Sequence, residues 1–194
     1  MTRKDDSKPI ARAKTVRRDR ILDAAESLFA RVGLRSATME AIAAASSISK
    51  ATLYAYFPDK MAVFSAVASR LASDMQSGVI KALEEKGRLV DRLSNALLAK
   101  HGRAFDAAIG SPHRLELLDT RRHEFGQLFN AMDRAIEDAI FQALQAAGCS
   151  APRDDARLIF CASIGISEQA KSREELEVDL RRLVSAILAS YPDA

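Results

Sequence analysis

Tryptophan is missing from this chain and aromatic residues make up only 6% of it. Glycine (8) and proline (5) are few and alanine is abundant, a mix that favours helix over sheet. Only two cysteines occur, Cys149 and Cys161. That rules out a disulfide framework or a zinc set and points to a reducing, cytoplasmic setting. No apolar run approaches the ~18–20 residues needed to span a bilayer. The N-terminus has charges but no apolar core followed by a cleavage site, so no signal peptide is expected. A nucleophile–base pair, a paired-carboxylate site and a Gly-rich phosphate loop are all lacking, so neither enzymatic activity nor a cofactor is expected. The three histidines, His101, His113 and His123, are spaced too irregularly for a local metal pair, and no metal site is expected.

What the chain does have is 48% hydrophobic and 28% charged residues over 194 positions, enough for a core in one or two small helical domains. Its net charge of +3 is unevenly placed. Residues 1–60 hold 12 of the 29 Lys+Arg but 7 of the 26 Asp+Glu, which leaves the rest slightly acidic. Residues 1–20 alone carry 8 basic and 3 acidic side chains. A basic end on a near-neutral body suits phosphate binding at that end. Residues 1–12 read as a disordered basic arm, with Arg12, Lys14, Arg17 and Arg18 solvated.

Periodicity predicts an all-α chain of about nine helices. Ile21, Ala24, Ala25, Leu28, Phe29 and Val32 share one face of a helix from about Lys14 to Val32, which Gly33 ends. Thr38 and Ser49 cap two short helices, about Met39–Ala45 and Lys50–Phe57, and Pro58 stops the second. Asp59 caps a longer helix with Met61, Phe64, Val67, Leu71 and Met75 inward, ending between Gly78 and Gly87. Helices follow over about Leu89–Ile109, from near His113, through Phe125, Leu128, Phe129, Met132, Ile136, Ile140 and Leu144 up to Gly148, and from Arg153 to Gln169 behind Pro152. Ser172 to Glu175 form a capping box for the last helix. The expected division is the arm 1–12, a helix-turn-helix module over 13–58, and a larger C-terminal bundle over 59–194, joined without a flexible hinge.

The functional signal lies between Thr38 and Lys60. Ile42, Ala43 and Ile48 supply packing, Ala44 to Ser47 a small turn, and Leu53 and Phe57 the inner side of the second helix. That leaves Ser49, Lys50, Ala51, Thr52, Tyr54 and Tyr56 around its outer surface. Hydroxyls and a lysine near a helix N-terminus reach phosphates or base edges, and Ala51 can meet a thymine methyl. The helix starts at Thr38, Ser49 and Lys60 offer N–H groups to phosphate. The alternative is that Tyr54 and Tyr56 are ordinary core aromatics of a helical bundle.

The order Phe29-Ala30-Arg31-Val32-Gly33, then Thr38 to Ala43, then Ile48 to Lys60, resembles the tetracycline-repressor (TetR) family of transcriptional regulators over about residues 15–64. Thr52-Leu53-Tyr54-Ala55-Tyr56-Phe57-Pro58-Asp59-Lys60 is its specific core. One departure stands in the turn: Ser46-Ser47 replace the family's usual Ala-Gly, so Ser47 must accept the turn geometry or the turn must shift. The resemblance implies a homodimer that sets two recognition helices into successive major grooves of a near-palindromic operator in double-stranded DNA. It also implies a repressor released by a small-molecule effector of unknown identity. By position, Thr38, Lys50, Thr52, Tyr54, Tyr56 and Lys60 become DNA contacts. Thr52 and Tyr54 fall to bases and Thr38, Tyr56 and Lys60 to phosphates.

In this family the last two helices usually bundle with their two-fold mates. That makes Leu158, Ile159, Ala162 and Ile166, with Leu180, Leu183, Val184 and Ile187, candidates for the dimer interface; either stripe can instead close the monomer's core. Phe105, Phe125, Phe129, Met132 and Phe160, with His101 as a polar handle, are candidates for an apolar ligand cavity. Met and Phe at helical spacing more often form plain core. Cys161, on an apolar face, reads as inert and Cys149, near a loop, as exposed. Two other readings stay open: a small-molecule-binding helical protein with a vestigial DNA module, and a DNA-binding regulator with no ligand.

Overall fold

A computed structural model describes residues 7–108 and 111–191, with only the backbone described for 7–11 and for a few positions between 104 and 122. Among the described residues there are eight helices and no strand. They are α1 (Ser7–Ser36), α2 (Met39–Ala45), α3 (Lys50–Tyr54), α4 (Lys60–Glu84), α5 (Leu89–Ala108), α6 (Arg114–Ala146), α7 (Pro152–Gln169) and α8 (Arg173–Leu188). The fold is all-α, as composition and periodicity imply. The expected count of nine rests on a break near Phe125, and α6 is kinked there into two helical stretches, because Phe125 leaves helical geometry (φ −126°, ψ 19°). The helix expected from Lys14 starts earlier, so residues 7–12 of the anticipated arm are helical, while 1–6 lie outside the described residues. Ile109 also lies outside them.

The helices group into two compact units. The first is the stretch up to Arg70 together with Ser111–Phe125; the second is Leu71–Gly110 with Gly126 onward. Nothing in the hydrophobic pattern marks Ser111–Phe125 as packing with the N-terminal helices.

The core of the first unit takes Ile21, Leu22, Ala25, Leu28 and Phe29 from α1, Ile42 and Ala43 from α2, Leu53 from α3, Phe57, and Val63, Phe64 and Val67 from α4. Phe29 meets Phe64 edge-to-face with centroids 5.5 Å apart, and Phe125 lies 5.7 Å from Phe64 on another side. Met61, expected inward, is 39% exposed. The regular course of α1 is interrupted at Gly33, which holds φ 79°, ψ 161°, a region open essentially to glycine alone. A Cβ there would sit 2.5 Å from Glu116 Oε2 and 2.8 Å from His113 Nδ1. The Glu116 carboxylate instead accepts from the Arg35 N–H (2.8 Å), and the Ser111 hydroxyl donates to the Ala30 carbonyl (2.7 Å). On α4, Arg70 ties to Asp23 (2.7 Å) and Glu26 (2.9 Å) of α1.

In the second unit α5 packs chiefly on α8 and both meet α7. Leu93 and Leu97, Ile136, Ile140 and Leu144, Ile159, and Leu176, Leu180 and Val184 are all at most 1% exposed. Leu128, expected inward, is 36% exposed. The cysteines reverse their expected places: Cys149 is buried, with its thiol pushed up by burial and by Asp155, and Cys161 is exposed on α7. Cys149 follows a Gly148 turn that folds it back under α6, which loop position alone does not reveal.

Candidate nucleic-acid interface

Two short helices this small cannot hold themselves, so their ends are closed by side chains. The Thr38 hydroxyl accepts from the Ala41 N–H (3.1 Å) and caps α2. The Ser49 hydroxyl accepts from the Thr52 N–H (3.1 Å) and caps α3, and it also lies 2.8 Å from the Thr52 hydroxyl. Asp59 caps α4 through the Ala62 N–H (2.8 Å). All three caps stand where the sequence put them.

Between α2 and α3 the chain makes a Schellman turn. The Ile48 N–H bonds back to the Ala43 carbonyl (3.0 Å) and the Ser47 N–H to the Ala44 carbonyl (3.1 Å). This geometry needs a left-handed residue, and Ser47 supplies it at φ 54°. Buried beside it, Ser46 satisfies its hydroxyl on the Ile42 carbonyl (2.7 Å). The replacement of Ala-Gly by Ser-Ser therefore leaves the turn in place, with Ser47 accepting it.

Leu53 (0% exposed) and Phe57 (5%) pin α3 to the core. These two anchors dictate what faces outward. Ser49, Lys50, Ala51 and Tyr54 are exposed, and Thr52 is half-buried. Tyr54 is not a core aromatic, since 45% of its surface is open. Tyr56 differs: it is half-buried and packs against the core of the unit. The Lys50 ammonium lies 6.0 Å from the Tyr54 ring centroid and pairs with Glu40 across the turn. The hydrogen bond from Lys50 holds the Glu40 carboxyl below its ordinary range, and the same bond raises Lys50. Nothing in the linear sequence marked Glu40, because the pair joins the second helical residue of α2 to the first of α3.

Lys60 departs from its expected phosphate contact. Its ammonium donates to the carbonyls of Leu34 (2.7 Å), Arg35 (3.0 Å) and Ala37 (2.8 Å). An ammonium has three N–H donors, and all three are committed inside the protein.

An exposed helix held at two internal points, preceded by a capped short helix and a tight turn, is the geometry of a helix-turn-helix reader. Residues 21–67 match the family described as bacterial regulatory proteins, tetR family. The match takes in α2, α3 and the parts of α1 and α4 that hold them. Regulators of that family are DNA-binding transcriptional regulators. Solved structures share this chain's fold over nearly their whole length. A TetR-family transcriptional regulator of Mesorhizobium loti is 23% identical, with 91% of this chain and 96% of that one covered at a TM-score of 0.66. A transcriptional regulator of Rhodococcus is 18% identical, with 89% and 96% covered at 0.70. The fatty acid degradation regulator FadR of Bacillus halodurans is 16% identical, with 92% and 97% covered at 0.64. At these identities the likeness concerns the fold. No curated protein matches in sequence. No helix among the described residues is long and apolar enough to cross a membrane.

In the second unit, His101, Phe105, Phe129, Met132 and Phe160 are all buried. Phe125 does not join them; it packs in the first unit against Phe64. The His101 Nε2 lies 2.9 Å from the hydroxyl of fully buried Ser163, which itself donates to the Phe160 carbonyl (2.7 Å). Ser163 therefore accepts, and His101 carries its proton on Nε2. Burial and then the neighbouring Lys100 push His101 down to about 3. Lys100 is buried as well, on Asp133 (2.7 Å) and 4.9 Å from the Phe160 ring centroid. Of the interface candidates, Leu158 is 49% exposed and Ala162 is exposed, while Ile166, Leu183 and Ile187 are half-buried. Ile159, Leu180 and Val184 cannot serve: at 0%, 1% and 0% exposure they close the monomer's own core.

Proposed function

We propose that this regulator is a homodimeric, non-enzymatic repressor of the cytoplasm that reads a near-palindromic operator and leaves it when a small molecule binds. In this reading residues 13–58 bind DNA and 59–194 sense the effector and dimerise. The observation that carries it is the outward face of α3: Ser49, Lys50, Ala51 and Tyr54 are open to solvent on a helix whose Leu53 is sealed inside. Thr52 joins them, Thr38 serves the backbone from the start of α2, and Tyr56 contributes from a half-buried position. Lys60 is left out of the contact set because its donors are spent.

Two half-sites one helical turn apart call for a two-fold mate. Leu158, Ala162 and Ile166, with Leu183 and Ile187, form the surface offered to it. Phe105, Phe129, Met132 and Phe160, with His101, are the wall of the effector site. One observation favours regulation without a ligand: His101 and Lys100, the polar groups beside that wall, are already satisfied by Ser163 and Asp133.

The test is selection of duplexes from a random-sequence pool by the purified chain, with sedimentation in parallel. A near-palindromic sequence should be enriched and the mass should be twice that of one chain. If a dimer neutralises about six phosphates, log K should fall with log salt at a slope near −5. Lys50→Ala and Tyr54→Ala should each weaken the selected duplex about tenfold or more without unfolding the chain. A pool returned without enrichment, or both variants binding like the parent, defeats the reading.

A further inference from the structure

The DNA-reading face carries one acid where a phosphate-binding surface has no use for it. Glu40 stands in the first turn of α2, exposed, two residues after the Thr38 cap. Its carboxylate would face the same polyanion as Lys50. A bare carboxylate there repels DNA, yet Glu40 is not bare, because it holds the Lys50 ammonium across the turn. Lys50 is the first residue of α3, the position from which a recognition helix reaches base edges. A free lysine at such a place is a point charge on a flexible four-carbon stem, and it falls onto the nearest phosphate whatever the sequence. Restrained by Glu40 and lying over the Tyr54 ring, the same ammonium has fewer places to go and two further N–H donors to use.

We propose that Glu40 is a specificity-determining residue of the DNA face: it holds Lys50 off the phosphate backbone and aims its remaining donors at acceptors on the floor of the major groove, the N7 and O6 of guanine. The inference rests on the reading of α3 as the recognition helix and adds to it the residue that restrains it. On an operator the pair docks as a unit and stays joined. On arbitrary duplex Lys50 contributes little while Glu40 stands. Without the carboxylate, Lys50 adds one phosphate contact per protomer, and specificity falls because non-specific binding rises.

The experiment compares the wild-type chain, Glu40→Gln, Lys50→Met and the double variant on two duplexes across a salt series. One is the sequence that the wild type enriches from a random pool; the other is of arbitrary sequence. Both positions are exposed, and helical circular dichroism confirms that each variant folds. Glu40→Gln should bind the arbitrary duplex about tenfold tighter. Its salt slope there should steepen by about 0.9 per protomer, one phosphate's worth of released counterions. Its affinity for the selected duplex should stay level or fall. Lys50→Met in the same chain should abolish the gain. The inference is overturned if Glu40→Gln tightens both duplexes equally. It is also overturned if the gain survives loss of Lys50, which would make Glu40 a mere repulsive charge. Tyr54→Ala separates this from the parent reading: if it and Lys50→Met both bind the selected duplex as the wild type does, the assignment of α3 itself has failed, and with it the role of Glu40.

Discussion

A left-handed serine ends α2. Ser47 sits at φ 54°, where an L residue crowds its Cβ against the following carbonyl at a cost of roughly 1–2 kcal/mol. The same Schellman turn closes α6, where the Gly148 N–H bonds to the Gln145 carbonyl and the Cys149 N–H to the Leu144 carbonyl, and there the left-handed residue is glycine at φ 79°. One chain thus solves the same problem twice, once with strain and once without. Ser47→Gly should relieve that strain, less the entropy glycine loses on folding, for a net gain of about 0.5–1 kcal/mol in urea denaturation. Ser46, at φ −86° with its hydroxyl on the Ile42 carbonyl, is the control: glycine there should lower stability. A loss at Ser47 would mean that its side chain does something in the turn beyond occupying it. Position 47 as a point of tension is readable from the sequence alone, because turn chemistry is local. The resolution of that tension is not.

Elements were legible to the extent that their signals are short-range. Thr38, Ser49, Asp59 and Ser172 each cap a helix found where the sequence puts it, because a cap and its target lie three residues apart. The box at Ser172 is only half made: the Glu175 carboxylate accepts from the Lys171 N–H, one residue ahead of the cap. What pattern cannot give is a partner from another element. An apolar stripe on α8 names a face, but Leu180 and Val184 face their own core while Leu183 and Ile187 sit at its margin. Lys60 is the sharpest case. Its ammonium closes the carbonyls of Leu34, Arg35 and Ala37, 23 to 26 residues upstream, and so joins the start of α4 to the end of α1. Hydrogen bonds to a charged group contribute about 1.5–3 kcal/mol, and three share one donor group here. Lys60→Met should therefore destabilise the chain by about 2 kcal/mol in urea denaturation. Among the molecules that remain folded, DNA affinity and its salt slope should be unchanged. A shallower slope with full stability would return Lys60 to the phosphate contacts.

At the scale of the molecule, charge is handled in two ways. On the reading face it is open and screened, and pairs such as Lys50–Glu40 alter which contacts form rather than how stable the fold is. Inside the second unit it is withdrawn from water, and there it couples stability to pH. His101 is 8% exposed, neutral, and pushed down to about 3 from an ordinary value of 6.5 by burial and by Lys100. The unfolded chain takes a proton at this residue as pH falls through about 6.5, while the folded chain does not until near 3. The unfolded state therefore binds more protons across that window, and stability must fall as the solution is acidified through it. Between pH 7 and pH 5 the loss assignable to His101 should be about 2 kcal/mol, since each pKa unit is worth about 1.36 kcal/mol. Other groups titrate in the same range, so the measurement is the difference between two chains: wild type and His101→Gln, denatured with urea at both pH values. Glutamine keeps an N–H for the Ser163 hydroxyl and cannot be protonated, so the variant should lose about 2 kcal/mol less than the wild type on acidification. Equal losses in the two chains would mean that the His101 ring takes up its proton within the fold, by shifting away from Ser163 or by admitting water between α5 and α7.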